Sequence, residues 1–330
     1  MTALGADTNA HNAGHARVFY WDGDAWSQMG EPLGWSTASG ELGTAVSLDG
    51  SGTVCAVSWD GYDASDGGGV QVFAFRGYSS WSLLGTIEGG GAHVGGNFRG
   101  DGAGGTSGVS LSTDGATIAV GFPWNDNAVG ADAGRVIVYD FDPDDFDGFA
   151  PRGDPILGEA PSDFFGQSAS LSGDGNVVVV GAPYNDDGPN SHLCGSVHVF
   201  EWAPGPGGGS WVQRGGDLVG EEWGDYLGWR VSISRDGSAV AAGAYGNDAD
   251  TGHTGPLQYA GSTRVYDWDG AEYAQRGADI DGAAIYDQSG RSLGLSKDGS
   301  RVAISAYASD LSTTAINAGS VRVYEWGEPE

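Results

Sequence analysis

Lysine is almost missing from this 330-residue chain: Lys297 stands alone beside 13 arginines. Basic charge is so scarce that 44 acids face 14 bases, a formal net charge of −30. A field of that sign disfavours nucleic acid and anionic lipid as partners, because both are polyanions. No stretch approaches the roughly 20 apolar residues of a bilayer-spanning helix, so no membrane insertion is expected. Cysteine occurs only as Cys55 and Cys194, in different segments without counterparts elsewhere. Both are therefore expected to be small buried apolar residues rather than a bridge. The opening MTALGADTNAHNAGHA has neither a basic start nor an apolar run, so no secretory signal is expected.

Catalytic signatures are equally scarce. The six histidines, at 11, 15, 93, 192, 198 and 253, show no paired metal-ligand spacing. There is no Gly-x-Ser-x-Gly elbow. The glycine-rich loop around Gly102 and Gly105 lacks the lysine and the following helix of a phosphate cradle. Carboxylate pairs for glycoside hydrolysis can be drawn at will among 44 acids, so without geometry they carry no weight.

What the chain has in abundance is glycine, 61 residues, together with 12 Trp, 13 Tyr and 11 Phe. The glycines follow no three-residue period, which excludes a collagen-like chain, and the aromatics exclude a disordered acidic tail. Two segment types alternate. The first runs 45–60, 108–127, 168–187, 230–249 and 292–311, and its turn glycines are Gly52, Gly115, Gly175, Gly237 and Gly299. Their spacings of 63, 60, 62 and 62 residues mark a true repeat. The second type begins at Gly14, Gly68, Gly134, Gly195, Gly261 and Gly319, as in Gly195-SVHVFEW.

Period-two alternation with β-branched residues predicts strands. Asp-Gly between two strands predicts a tight turn. Aromatic pairs such as Trp21 with Trp26 and Trp268 with Tyr273 are expected to face each other across the second hairpin. No helix is expected. A unit of about 62 residues with four short antiparallel strands is a propeller blade, whose faces only neighbouring blades can cover. The fold class is therefore all-β, a β-propeller of four-stranded antiparallel blades, with five repeats and an extra half-blade. The expected blades are 43–85, 107–153, 168–215, 230–277 and 291–326, with 14–30 as the half-blade, 1–13 a flexible N-terminus and 327–330 a tail.

The third repeat, Asp163-FFGQSASLSGDGNVVVVGAP-Tyr184, places Phe165-Gly166 before one strand and Gly181-Ala182-Pro183 after the next. It resembles the FG-GAP repeat, the blade unit of integrin α-subunit propellers and of many surface proteins. The other copies are degenerate: Gly121-Phe-Pro123, Gly243-Ala-Tyr245 and Ser305-Ala-Tyr307, while the first copy exchanges the turn residues to give Asp49 and Ser51. The resemblance implies a propeller, an extracellular or cell-surface setting and a role in binding or adhesion. Integrin-type blades often carry a calcium loop rich in aspartate. Here that loop is Ser-x-Asp-Gly, with one carboxylate (Asp114, Asp174, Asp236 or Asp298), whereas calcium takes six to eight oxygens. Calcium is therefore not expected at these turns, and no cofactor is required.

The strand count does not close. Strands predicted at 16–21 and 320–326 both correspond to strand three of a blade. A five-sector ring would need the strand at 25–29 as a clasp on the last blade. Six sectors with one poorly filled, or a piece of a seven-bladed ring, are the alternatives.

Turns joining strands one–two and three–four share one face of a propeller, and the longer connectors share the other. Function concentrates on long loops, and there strand two ends in an aromatic followed by an amide or acid. The candidate ligand-binding residues are Trp59 and Asp60; Trp124, Asn125 and Asp126; Tyr184, Asn185 and Asp186; Tyr245, Asn247 and Asp248; Tyr307 and Asp310. Rings can stack on sugars while carboxylates take hydroxyls. Equally, the rings can pack between blades while Asn-Asp caps a turn. A separate cluster, Asp142, Asp144, Asp145 and Asp147, is either a candidate divalent-cation site or a solvated turn. The expected function is a non-catalytic binding or adhesion module for a protein or glycan. The alternatives are a polysaccharide hydrolase or lyase with carboxylates at the propeller mouth, and a structural fragment of a larger repeat protein.

Overall fold

The computed structural model describes residues 2–3, 14–34, 42–59, 69–77, 80–88, 108–144, 148–186, 193–248, 258–310 and 317–327. These residues form strands and turns and no helix. Six sectors follow one another. Sector I holds β1 (Thr2–Ala3), β2 (His15–Ala16), β3 (Phe19–Trp21), β4 (Trp26–Gln28) and β5 (Leu33–Gly34). Sector II holds β6 (Val46–Leu48), β7 (Val54–Trp59), β8 (Gly69–Phe75) and β9 (Trp81–Glu88). Sector III holds β10 (Val109–Leu111), β11 (Thr117–Phe122), β12 (Arg135–Phe141), β13 (Phe149–Pro151) and β14 (Ile156–Leu157). Sector IV repeats this with β15 (Ser168–Leu171), β16 (Val177–Ala182), β17 (Ser196–Ala203), β18 (Ser210–Gln213) and β19 (Leu218–Val219). Sector V follows with β20 (Arg230–Ile233), β21 (Ala239–Ala244), β22 (Ser262–Trp268), β23 (Tyr273–Gln275) and β24 (Ile280–Asp281). Sector VI has β25 (Ser289–Leu295), β26 (Arg301–Ala306) and β27 (Ser320–Glu325).

Each complete sheet is antiparallel in chain order. In sectors III to V strand four is broken, so that β13 and β14 pair with opposite ends of β12, and likewise in the next two sectors. In sector I, β1 pairs with β2 in the place of a second strand. The expected aromatic staples form: Trp21 packs edge-on to Trp26 at 5.7 Å, and Trp268 meets Tyr273 at 5.0 Å. β4 pairs with β3 in its own sector, so it does not serve as a clasp on the last one. The competition between two third strands is resolved by giving each its own sector.

The second strands read as continuous apolar runs because they are buried on both faces, as in Val177–Ala182. Five core clusters result, each shared by two successive sectors. Ala16, Val18 and Leu33 meet Val57 and Trp59 between I and II. Further clusters join II to III, III to IV, IV to V and V to VI. The innermost strands β6, β10, β15, β20 and β25 touch in succession, which makes the sectors converge on an axis rather than stack in a line. Cys55 and Cys194 are both buried and unbridged.

Three devices lock the sectors. First, the turns between strands one and two are joined by backbone bonds: Gly50 N–H donates to Thr113 O (2.8 Å), Thr113 N–H to Gly173 O (2.9 Å), and Gly173 N–H to Arg235 O (2.7 Å). Second, serines on the inner strands accept from the next inner strand, as Ser47 does from Leu111 N–H (3.0 Å) and Ser110 from Leu171 N–H (2.9 Å). Third, arginines after strand four reach forward. Arg152 donates to Gly175 O and Asn176 Oδ1 (3.1 and 2.6 Å) and lies 4.8 Å over Trp202. Arg214 over Trp268 and Arg276 over Trp326 repeat the contact, each placing a cation on an aromatic face.

Sector VI departs from this pattern. The turn glycines Gly115, Gly175, Gly237 and Gly299 lie against Val54, Thr117, Val177 and Ala239 of the preceding sector. Arg301 holds the matching position in sector VI, ion-paired to Glu325 (2.6 Å). Gly294 replaces the bridging serine, and Ser305, like Ser58 of sector II, stands where sectors III to V have a glycine in the second strand. Val321 and Val323 are 68% and 66% exposed where Val197 and Val199 of sector IV are buried. A further sector in the same register would meet the Arg301 side chain. At the other end, Val46 and Leu48 line a cavity of about 560 Å³ with Ala16, Arg17, Val18, Phe19 and Trp26.

The five Ser-Asp turns share one network. Ser112 Oγ donates to Asp114 Oδ1 (2.6 Å) and accepts from Thr117 N–H (3.0 Å). In the first repeat the roles are exchanged: Ser51 Oγ donates to Asp49 Oδ2 (2.5 Å), and Asp49 Oδ1 accepts from Val54 N–H (2.8 Å). The Ser112 hydroxyl and then the Ala116 N–H hold the Asp114 carboxyl below its usual range, and Asp236 and Asp298 are lowered by their own serines. Asp49 and Asp174 are lowered too, although burial opposes it. A carboxylate depressed on folding stabilises above its unfolded value and loses that contribution as pH falls through its folded value. Stability should therefore decline from about pH 4 downward, measurable as a falling urea midpoint. Asp114→Ala should cost about 1 kcal/mol at neutral pH, a figure reduced for its solvent exposure, and should flatten that decline.

Candidate functional site

The loop face carries a continuous arc of rings. It starts at Trp124, after β11, which meets Phe164 edge-on at 4.4 Å. Phe164 meets Tyr184 at 4.8 Å, and Tyr184 meets Tyr226 at 5.4 Å and Trp229 at 6.4 Å. Tyr245 stacks on Tyr226 at 5.2 Å and takes Trp229 edge-on at 4.7 Å. The Arg291 guanidinium then lies 5.7, 5.3 and 4.9 Å from the rings of Trp229, Tyr245 and Tyr307. The arc spans sectors III to VI. Rings at the ends of second strands alternate with residues of the loops that enter the following sector.

Local backbone geometry places the entering residues. Phe164 and Tyr226 have φ of 54° and 56°, and Gln288, at the same place in sector VI, has 51°. Left-handed backbone at a bulky residue costs about 1–3 kcal/mol and persists only where surrounding bonds hold it. A buried aspartate precedes each. Asp225 accepts from the N–H groups of Glu221 and Glu222 (both 3.0 Å) and from Asn247 Nδ2 (3.1 Å). Asp163 accepts from Ala160 N–H and Asn185 Nδ2, and Asp287 from the N–H groups of Ala283 and Ala284. Burial raises the Asp225 carboxyl above its usual range. Burial, followed by the neighbouring phenols Tyr184 and Tyr226, pushes the Tyr245 phenol up.

The residues expected from sequence divide into three groups. Trp124, Tyr184, Tyr245 and Tyr307 are brought together in the arc. Asn125, Asn185 and Asn247 are buried behind it, and their carbonyls accept from Gly134, Gly195 and Gly261 to close the loop. Asp126, Asp186, Asp248 and Asp310 each accept a backbone N–H across the same loop, from Asp132, Leu193, Tyr259 and Asn317 (2.7–3.0 Å). One oxygen of each carboxylate is thereby engaged in shaping the loop. Trp59 is 5% exposed within the core between sectors I and II, outside the arc, and Asp60 lies outside the described residues. Sequence reasoning missed Phe164, Tyr226, Trp229 and Arg291. The detectable signal was their fixed offset from Gly166, Gly228 and Gly290.

In the acidic cluster, Asp142 Oδ1 accepts from Asp144 N–H (2.9 Å), closing a turn, while Asp145 and Asp147 lie outside the described residues. Among the described residues no group of three or more His, Cys, Asp or Glu side chains is arranged to hold a metal. One buried trio has catalytic-looking distances: Ser196 Oγ is 2.8 Å from His198 Nε2, and His198 Nδ1 is 2.9 Å from Asp217 Oδ1. His198 lowers the Asp217 carboxyl. Ser196 is only 1% exposed, however. In sector V the same strand position holds Arg264, 2.9 Å from Asp279. The trio is thus the sector IV form of a cross-strand polar link, with no nucleophile presented to solvent.

Residues 158–200 match the FG-GAP repeat family. No curated protein matches the sequence. Among solved structures, the periplasmic gluconolactonase of Pseudomonas aeruginosa is 14% identical, covering 98% of this chain and 84% of its own, with a TM-score of 0.56. KlAtg21, in complex with the coiled-coil of AgAtg16, is 12% identical, covering 100% and 77%, with a TM-score of 0.58. Chaetomium thermophilum Sqt1, bound to the N-terminus of ribosomal protein L10, is 15% identical, covering 93% and 65%, with a TM-score of 0.51. At these identities the likeness concerns the fold alone.

Proposed function

For an FG-GAP repeat protein of β-propeller architecture, we propose a non-catalytic binding module that takes an extended glycan along the loop-face arc. The observation that carries this reading is the succession of partly buried rings from Trp124 to Tyr245, joined to Tyr307 through the Arg291 guanidinium. Aromatic faces match the apolar faces of sugar rings, and polar groups beside them fix the hydroxyls. Strained Phe164 and Tyr226 support a binding role, because strain of this kind gathers at ligand sites.

A protein partner is the second reading. It is favoured by Trp223, Tyr259, Ile285 and Tyr286, which are 73%, 45%, 51% and 54% exposed on the same side. Screening the full chain against immobilised oligosaccharides, followed by calorimetry, tests the choice. Micromolar binding of one glycan class that tightens with oligosaccharide length supports the arc. Retention of no glycan in the screen would overturn it.

A further inference from the structure

At its sector VI end the arc changes chemistry. The pair Tyr226 and Trp229, which enters sector V, is replaced in sector VI by Gln288 and Arg291, joined at 2.7 Å. Beside Trp229 in sequence stands Arg230, the first residue of β20 and the only charged residue on the innermost strands β6, β10, β15 and β20. Its equivalent in sector IV, Ser168, reaches forward to the Gly228 carbonyl of the following sector (2.9 Å). Ser232, two residues on and on the same side of β20, likewise reaches sector VI at Leu295 N–H (3.0 Å). Arg230 therefore starts from a position that faces Gly290 and Arg291.

The Arg230 side chain has no hydrogen bond or ion pair among the described residues, in a chain with 44 acids. Arg152, Arg264, Arg276 and Arg301, by contrast, all have carboxylate partners. Burial is the sole cause that pulls Arg230 down, to about 10, so it stays protonated at neutral pH with no neighbouring charge to offset it. A largely desolvated, unpaired cation lowers stability unless something neutralises it. The Arg291 guanidinium over the rings of Trp229, Tyr245 and Tyr307, with Arg230 on the neighbouring inner strand, gives the aromatic arc an anion-accepting end.

We propose that the junction of sectors V and VI binds an anionic substituent of the glycan, a carboxylate or sulfate on a sugar, through Arg230 of β20 and Arg291 of the adjoining strand β25. The inference rests on the glycan reading of the arc. It specifies an acidic sugar at one end rather than a polyanion, since the overall charge of −30 repels the latter.

The test compares neutral, uronate-bearing and sulfated forms of one oligosaccharide by calorimetry, with the wild-type chain and Arg230→Gln. Wild type should prefer an acidic form at least tenfold, and whichever acidic form wins identifies the substituent. Arg230→Gln should abolish the preference and leave neutral binding within twofold. Its unfolding midpoint should stay level or rise, because an unpaired desolvated charge is removed. A fall in midpoint would assign Arg230 a structural role and overturn the proposal, as would a preference that survives the substitution. Glucuronate and glucose, each tested alone as stabilisers, separate the two readings. Arg230-dependent stabilisation by glucuronate, without oligosaccharide binding, supports the anion site and removes the glycan arc. Neutral binding with no acid preference removes the site and keeps the arc. No response to any probe removes both.

Discussion

Gly181→Ala should lower the stability of the chain by about 3 kcal/mol or more, among the largest effects of any single methyl group in the molecule. A Cβ at Gly181 would fall inside the Gly228 carbonyl of the next sector, and the same holds for Gly121 against Gly166 and Gly243 against Gly290. The obstacle is backbone, which cannot swing aside as a side chain does. The sectors would have to part, and the core shared by Val177, Val179, Val231 and Val240 would open with them. Two controls define the cause. Gly205→Ala has nothing within 4 Å of the added carbon and should be neutral within about 0.5 kcal/mol. Ser305 occupies the equivalent position in sector VI, so Ser305→Gly should also change little. Urea unfolding monitored by tryptophan fluorescence gives all three midpoints. Equal losses at Gly181 and Gly205 would show that the sectors do not meet as described.

Trp229→Ala should weaken glycan binding by more than tenfold, about 2 kcal/mol, the scale of a buried aromatic anchor. Trp229 joins the two halves of the arc, with Tyr184 at 6.4 Å, Tyr245 at 4.7 Å and Arg291 at 5.7 Å. Its removal leaves Tyr226 as the one described ring between Tyr184 and Tyr245 and takes away the ring that meets Tyr184, Tyr245 and Arg291 together. Trp223→Ala is the counterpart: at 73% exposure it should leave glycan affinity within threefold. The reverse order of effects, with Trp223 dominant, would favour a protein docking on the exposed patch. Trp59→Phe should alter the unfolding midpoint and leave affinity unchanged, because that ring serves the core between sectors I and II.

The repeat, the strand order and the assignment of a turn face and a loop face were legible from local chemistry. Each depends on residues close in sequence. The Asp-Gly turns, the alternating strands and the aromatic staples are settled within 20 residues, so their pattern recurs visibly every 62 or so. The exchange of Asp49 and Ser51 illustrates the point, since the serine hydroxyl still donates to the aspartate carboxylate although the two residues have traded positions. The roles of the loop residues were less legible. Aromatic, amide and acid occur together after each second strand, yet the tertiary structure separates them. The rings go to the surface arc, the amides to the buried loop base, and each acid engages a backbone N–H across its loop.

Sequence by itself determined that this chain builds four-stranded antiparallel sheets in regular succession, because hydrogen-bonding turns and period-two burial are local properties. Only the tertiary structure decided that the described residues form six sectors, that the last carries Arg301 where its predecessors carry Val54, Thr117, Val177 and Ala239, and that rings from successive repeats form one surface. Those outcomes depend on which residues meet across sector boundaries. That meeting is governed by the close approach of glycine backbones and the convergence of inner strands on an axis, neither of which is encoded in any single segment.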